Sequence, residues 1–261
     1  ATFDFADINE SSAIVKSRVW DDVYWTLNDS GCNNRIFPFN SNGELYRAEW
    51  YKEKDGGIFI GNAINIDWED MAVDNDGNIY VCDTGNNFNT RQDLAIHVIK
   101  DPIPNATGNT TSTKTIKFYY PEQKEFPAVP NNYDCEAVFW AKDNLYLLTK
   151  HRADKQTHLY RFDSTDQLKI NPVTRIGKFE IGGMVTAADA SIDGSKLVVL
   201  TYDNIWIFEA EDGDYFNGKI SWLPINANQC EAVCFDGDDI IITSEQMQLF
   251  RLPISELIPV N

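Results

Sequence analysis

Basic residues are scarce in this chain. Lys and Arg number 22 against 40 Asp and Glu, leaving a net charge of −18 over 261 residues. Nucleic acid and anionic membranes call for a basic footprint, so neither is expected as a partner. Long apolar runs are missing too, and none approaches the ~18 residues that a membrane-crossing helix needs. Only three histidines occur, His97, His151 and His158, which argues against a histidine-rich zinc site. The five cysteines are odd in number and irregularly spaced, with no CxxC, so at least one thiol has no partner within the chain. A Cys82–Cys135 or Cys32–Cys230 bridge is conceivable; small buried thiols are the default. No Gly-x-Ser-x-Gly, Walker loop or dinucleotide fingerprint is present, which removes the serine-hydrolase and nucleotide-fold readings. Helical periodicity is almost absent.

What is present is repetition. Asp67-Trp68-Glu69-Asp70-Met71-Ala72-Val73 is echoed by Asp134-Cys135-Glu136-Ala137-Val138-Phe139 and by Gln229-Cys230-Glu231-Ala232-Val233-Cys234-Phe235. Weaker copies surround Glu10 and Asp189. Each copy precedes a second apolar run such as Asn78-Ile79-Tyr80-Val81 or Asp239-Ile240-Ile241-Ile242. Asp76-Gly77, Asp193-Gly194 and Asp236-Gly237 lie between such runs, where an Asx-Gly hairpin supplies the positive φ that the turn needs. A repeat of this period and composition predicts an all-β fold, a β-propeller of four-stranded blades spanning 1–261 as one domain. The second unit parses into strands near 70–74, 78–82, 94–99 and 114–120. The third parses near 136–140, 144–149, 157–162 and 173–180, and the fourth near 186–191, 196–201, 204–208 and 218–224. Marker acids at 10, 69, 136, 189 and 231 point to five blades; a sixth within 44–66 or 100–133 is the alternative. The last unit is short of a strand, and Thr2-Phe3-Asp4-Phe5 alternates as a closing strand would.

In a blade, the start of the first strand and the end of the second meet at one mouth of the central channel. That brings together Glu10, Glu69, Asp70, Asp134, Glu136, Asp189 and Glu231 with Asn28, Asp29, Asp83, Asn86, Asn87, Lys150, His151, Arg152, Tyr202 and Glu245. Carboxylates crowded at one axis repel unless a proton, a cation or an Arg/Lys partner neutralises them. Carboxylate and amide oxygens are hard ligands and suit Ca²⁺ better than Zn²⁺. The bland alternative is that strand-start acids hydrogen-bond the backbone of the neighbouring blade. In the loop Asp83-Thr84-Gly85-Asn86-Asn87-Phe88-Asn89-Thr90-Arg91, the Asx residues suit a cation or a polyol, and Arg91 suits a carboxylate or phosphate; a self-capping turn is the alternative. Lys150-His151-Arg152 is a basic cluster in an acidic chain, fit for phosphate contacts or for balancing nearby acids.

Asn28-Asp29-Ser30-Gly31, Asp67-Trp68-Glu69-Asp70-Met71-Ala72, Asp83-Thr84-Gly85-Asn86-Asn87 with Arg91, and Asp134-Cys135-Glu136-Ala137 resemble phrases of bacterial secreted propellers grouped as phytase-like or esterase-like. More distantly, the chain is similar to β-propeller phytases and to regucalcin/gluconolactonase propellers. The resemblance spans roughly 10–250. It implies Ca²⁺ held by Glu69, Glu136 and Glu231, with Asp83 and Asn86 in a second ring. It also implies Arg91, Lys150 and His151 turned toward an anionic substrate. The chain is shorter than the phytase pattern and lacks its dense basic cleft, which argues against a highly phosphorylated substrate. The expectation is a secreted or periplasmic monomer, in keeping with a processed chain that starts at Ala1. It would use Glu136 and His151 in metal-dependent hydrolysis of phosphoesters or lactones. Arg91, Lys150, Asn87, Asn28 and Asp29 would hold the substrate. The alternative is a non-enzymatic propeller that binds a glycan or protein at the same mouth.

Overall fold

The computed structural model describes residues 1–29, 33–48, 56–105 and 108–260. Ser30, Gly31 and Cys32 lie outside the described residues, and with them the proposed Cys32–Cys230 pair. The described strands fall into antiparallel sets that follow the repeats. The first set is β1 (Ser11–Lys16), β2 (Tyr24–Asn28), β3 (Arg35–Phe39) and β4 (Ile58–Ile60). The second is β5 (Trp68–Val73), β6 (Asn78–Asp83), β7 (Ala95–Lys100) and β9 (Lys114–Tyr119), with the short β8 (Asn109–Thr110) crossing to pair with β4. The third is β10 (Asp134–Ala141), β11 (Asn144–Lys150), β12 (Thr157–Phe162) and β13 (Ile170–Phe179). The fourth is β14 (Val185–Ala190), β15 (Lys196–Thr201), β16 (Asn204–Glu211) and β17 (Asp214–Pro224). The last is β18 (Cys230–Asp236), β19 (Asp239–Ser244) and β20 (Leu249–Pro253), and the C-terminal β21 (Ile258–Pro259) returns to β17.

The innermost strands β1, β5, β10, β14 and β18 pack side by side in a closed cycle, each touching the next and β18 returning to β1. Among the described residues, 44–66 and 100–133 contribute only the outer strands β4, β8 and β9. Outer strands β9 and β13 pair in parallel, Ile170 opposite Lys117, which joins the second and third sets into one eight-stranded sheet. The N-terminal segment completes the last set as its alternation suggests. Thr2 bridges Gln248, Phe3 N donates to Met247 O at 2.9 Å, and Leu249 N donates to Ala1 O at 2.9 Å. The exposed edge of β20 is thereby covered.

Alternation along each strand places apolar side chains on both faces of every sheet, so the core is divided into layers between sheets. One layer joins Ile96, Phe118 and Tyr120 to Val138, Leu147 and Tyr160. Another closes the ring, packing Phe3, Phe39 and Tyr24 against Cys234, Ile241 and Leu249. Cys82, Cys135, Cys230 and Cys234 are free and buried. The conceivable Cys82–Cys135 bridge does not form; both thiols serve as small apolar filler in the same layer. No described helix is long and apolar enough to cross a membrane.

Candidate functional site

Each inner strand carries a β-bulge one or two residues after it begins. The registers slip at Ser12, Glu69, Glu136, Thr186 and Glu231. A bulge leaves one residue outside the ladder and re-aims its side chain, a recurrent device beside binding sites. Glu69, Glu136 and Glu231 are thus true equivalents. Glu10 and Asp189 are not, because Ser12 and Thr186 hold the corresponding positions. Glu10 precedes β1, and Asp189 lies three residues beyond the bulge.

Asp189 and Asp70 instead brace neighbouring sheets. Asp70 accepts from Met71 N and Val138 N, both at 2.7 Å. Asp189 accepts from Ala190 N at 2.8 Å and from Phe235 N at 2.9 Å. Burial lifts the Asp189 carboxyl to about 6, with Arg18 and these two backbone donors opposing the rise. Part of the strand-start acidity therefore has the bland role.

The bulge glutamates belong to a connected network across the mouth. Lys150 Nζ lies 3.0 Å from Glu136 Oε2, with both side chains buried. Lys150 also donates to Tyr202 Oη at 3.1 Å, and Tyr202 is hydrogen-bonded to Glu231. On the other side, Glu136 is hydrogen-bonded to Glu69. Burial, then the charge of Glu136, pushes the Glu69 carboxyl well above its usual range. Burial raises Glu136 as well, with Lys150 opposing. Glu231 is raised to about 7 by burial, against Lys150 and the Tyr202 hydroxyl. Burial works against the Lys150 charge, but Glu136, Tyr202 and Glu231 together more than offset it, and the ammonium is held above its ordinary range.

Beside Glu69 lies a second group of acids. Asp29, Asp67 and Glu69 each offer a carboxylate oxygen, and these oxygens lie within 4.8 Å of one another. Asp67 is raised to about 6 by burial and then by Asp29. Gly85 makes this arrangement possible: a Cβ on it would stand 2.3 Å from Glu69 Oε1 and 2.4 Å from Asp67 Oδ2. Three hard oxygen donors around a backbone without a side chain fit a divalent cation of the calcium type.

The remaining predicted residues brace the mouth. Asp83 Oδ1 accepts from Asp67 N at 2.9 Å and from Arg91 Nη1 at 3.0 Å. Asn86 receives Arg91 N at 2.9 Å and donates to Tyr133 O at 3.1 Å. Asn87 Oδ1 accepts from Arg152, whose Nη2 also lies 2.9 Å from Asp134 Oδ2 and 3.5 Å from Glu136 Oε1. Asn28 Nδ2 donates to Asp7 O and Asn9 Oδ1, holding the segment ahead of β1. His151 is buried with Nδ1 2.8 Å from Asp154 Oδ1, and its ring meets His158 edge-on at 4.4 Å. Its Nε2 is buried without a hydrogen-bond partner. Burial lowers His151, with Asp154 opposing.

Asp67 and Gly85 received no role from the sequence. The readable signal was that Asp67 and Asp134 both stand two residues before a bulge glutamate. No family model matches the chain, and no curated protein matches its sequence. Among solved structures it is similar to U3-55K, at 9% identity and a TM-score of 0.42 over 96% of this chain and 63% of that one. The chain therefore spans less than two thirds of that protein. None of these comparisons points to the phytase-like or esterase-like group.

Proposed function

We propose that this propeller binds a calcium-type cation at its channel mouth through Asp29, Asp67 and Glu69, and uses that site in hydrolysis of a phosphoester or lactone. The convergence of three carboxylate oxygens within 4.8 Å carries the reading. The site narrows the expected ligand set: Glu136 has Lys150 and Arg152 as partners, and Asp83 has Arg91. When bound, the cation would polarise a phosphoryl or carbonyl oxygen. The chain's own residues would do the rest. With Glu69 ligating the cation as a carboxylate, Glu136 would stand as a carboxylate paired with Lys150, accept a proton from the attacking water and return it to the leaving group. Arg152 at the rim would orient an anionic group of the substrate.

A second reading, a binding module without turnover, is favoured by one observation. Glu136, the candidate base, is engaged at once by Lys150, Arg152 and Glu69. Two measurements decide. Hydrolysis of aryl phosphates, phosphodiesters and lactones is screened with calcium and with a chelator, and Glu136→Gln is compared with wild type. Calcium-dependent turnover lost in Glu136→Gln supports the enzyme. Calcium binding without any turnover supports the binding module. Turnover untouched by Glu136→Gln removes Glu136 from the chemistry.

A further inference from the structure

A cavity of about 460 Å³ opens where the inner strands end, at the far side of the ring from the mouth. Lys16 and Arg18 line it from the end of β1, Ile192 and Asp193 from the turn after β14, and Phe235 and Gly237 from the end of β18. The turn that carries Arg18 is built on Asp101. Ser17 Oγ donates to Asp101 Oδ2 at 2.6 Å and accepts from Val19 N at 3.0 Å and Trp20 N at 2.8 Å. The turn fixes Arg18 without using its guanidinium, which makes no hydrogen bond or ion pair among the described residues. Nε is buried, whereas Nη1 and Nη2 keep accessible surface. Burial raises the Asp189 carboxyl of β14 and the Cys234 thiol of β18, and the Arg18 charge opposes the rise in both. The guanidinium is therefore turned inward between β14 and β18, the strands whose ends wall the cavity. Lys16, by contrast, is paired with Asp236. An arginine head left without a carboxylate in a chain of net charge −18 is a ready receptor for an anion.

We propose that this cavity binds a small organic monoanion, a carboxylate on a short apolar body, with the carboxylate received by Arg18. The two accessible nitrogens Nη1 and Nη2 present the fork that a carboxylate fits with both oxygens. The apolar body lies against Phe235 and the exposed Ile192. A single negative charge follows from the charges in place. Lys16 and Arg18 against Asp193 leave one positive charge in excess along the lining. Asp193 stays ionised, because hydrogen bonds from Ser191 Oγ at 2.7 Å and from Ser195 hold its carboxyl down at about 2. A dianion would therefore face a fixed like charge across the cavity. The site lies at the opposite ends of the inner strands from Asp29, Asp67 and Glu69, and its occupancy does not depend on a cation there.

Saturation-transfer NMR and calorimetry with hexanoate, hexanamide and inorganic phosphate, without calcium, test the proposal. Hexanoate is expected to bind, with hexanamide and phosphate each at least about tenfold weaker. Arg18→Met keeps the apolar stem and removes the charge, and is expected to weaken hexanoate at least about tenfold while the circular dichroism spectrum is unchanged. Ile192→Glu adds a carboxylate at an exposed turn position, is expected to weaken hexanoate as well, and serves as the readout if Arg18→Met does not fold. Absence of hexanoate binding to the wild type, binding undiminished in folded Arg18→Met or in Ile192→Glu, or hexanamide or phosphate binding as tightly as hexanoate would each overturn the proposal.

Discussion

Gly85→Ala is the most revealing single substitution. The new Cβ would stand 2.3 Å from Glu69 Oε1 and 2.4 Å from both Asp67 Cγ and Asp67 Oδ2. Ordinary carbon–oxygen contact is about 3.4 Å, so the two carboxylates must retreat by on the order of 1 Å. Glu69 has little freedom, since it is buried and hydrogen-bonded to Glu136. Gly85 N also donates to Asp67 O at 3.1 Å, so the backbone resists movement. Overpacking of this kind costs about 1–3 kcal/mol. The smaller entropy of the unfolded alanine chain returns about 0.4–1 kcal/mol. The calcium-free variant should therefore melt a few degrees lower, at about 2–4 °C per kcal/mol. The larger effect falls on the cation: moving the oxygens apart should remove most of the calcium-induced rise in Tm. Scanning calorimetry of both proteins, with calcium and with chelator, reads the two effects separately. A variant as stable as wild type with an undiminished calcium response would refute the geometry claimed for Gly85.

Three further outcomes follow from the same network. Lys150→Met leaves Glu136 buried without its closest cation and should cost about 3 kcal/mol by chemical denaturation; the loss should grow with pH, because Glu136 can escape it only by holding a proton. Asp70→Ala removes the acceptor shared by Met71 N and Val138 N and should cost about 2 kcal/mol, with Asp70→Asn milder because its amide oxygen still accepts one bond. The pH dependence has a definite sign. Asp67 lies near 6 and Glu231 near 7 in the folded chain, above their ordinary values of 3.8 and 4.5. The folded state thus holds these protons more tightly, and their contribution is present below about pH 4 and lost as pH rises through about 6 to 7. A cation at Asp67 and Glu69 competes with protons, so the calcium-induced rise in Tm should grow from about pH 5 to about pH 8.

The repeat made the strands legible. The runs beginning at Asn78, Asn144 and Lys196 start where β6, β11 and β15 start, because Asx-Gly or a similar turn marks each boundary. The closing N-terminal segment was legible from its alternation and the missing last strand. The β-bulges were not, since a bulge is a property of pairing and leaves no residue type behind. Glu10 and Asp189 therefore passed for copies of Glu69 by spacing, although Ser12 and Thr186 hold the bulges. The mouth was readable as a region, and Glu69, Glu136, Glu231, Asp83 and Lys150 do gather there. Their partners were not, because they come from distant sheets: Lys150 with Glu136, Arg91 with Asp83, Glu69 with Asp29 and Asp67. The contacts of the His151 ring with Asp154 and His158 are likewise recorded by no one-dimensional spacing.

Calcium titration by isothermal calorimetry, comparing wild type with the Asp67→Asn/Glu69→Gln pair, tests the central claim most directly. A single saturable site in the wild type that disappears in the double variant is the predicted result. Absence of binding in the wild type, or binding retained in the double variant, would contradict a cation site at Asp29, Asp67 and Glu69.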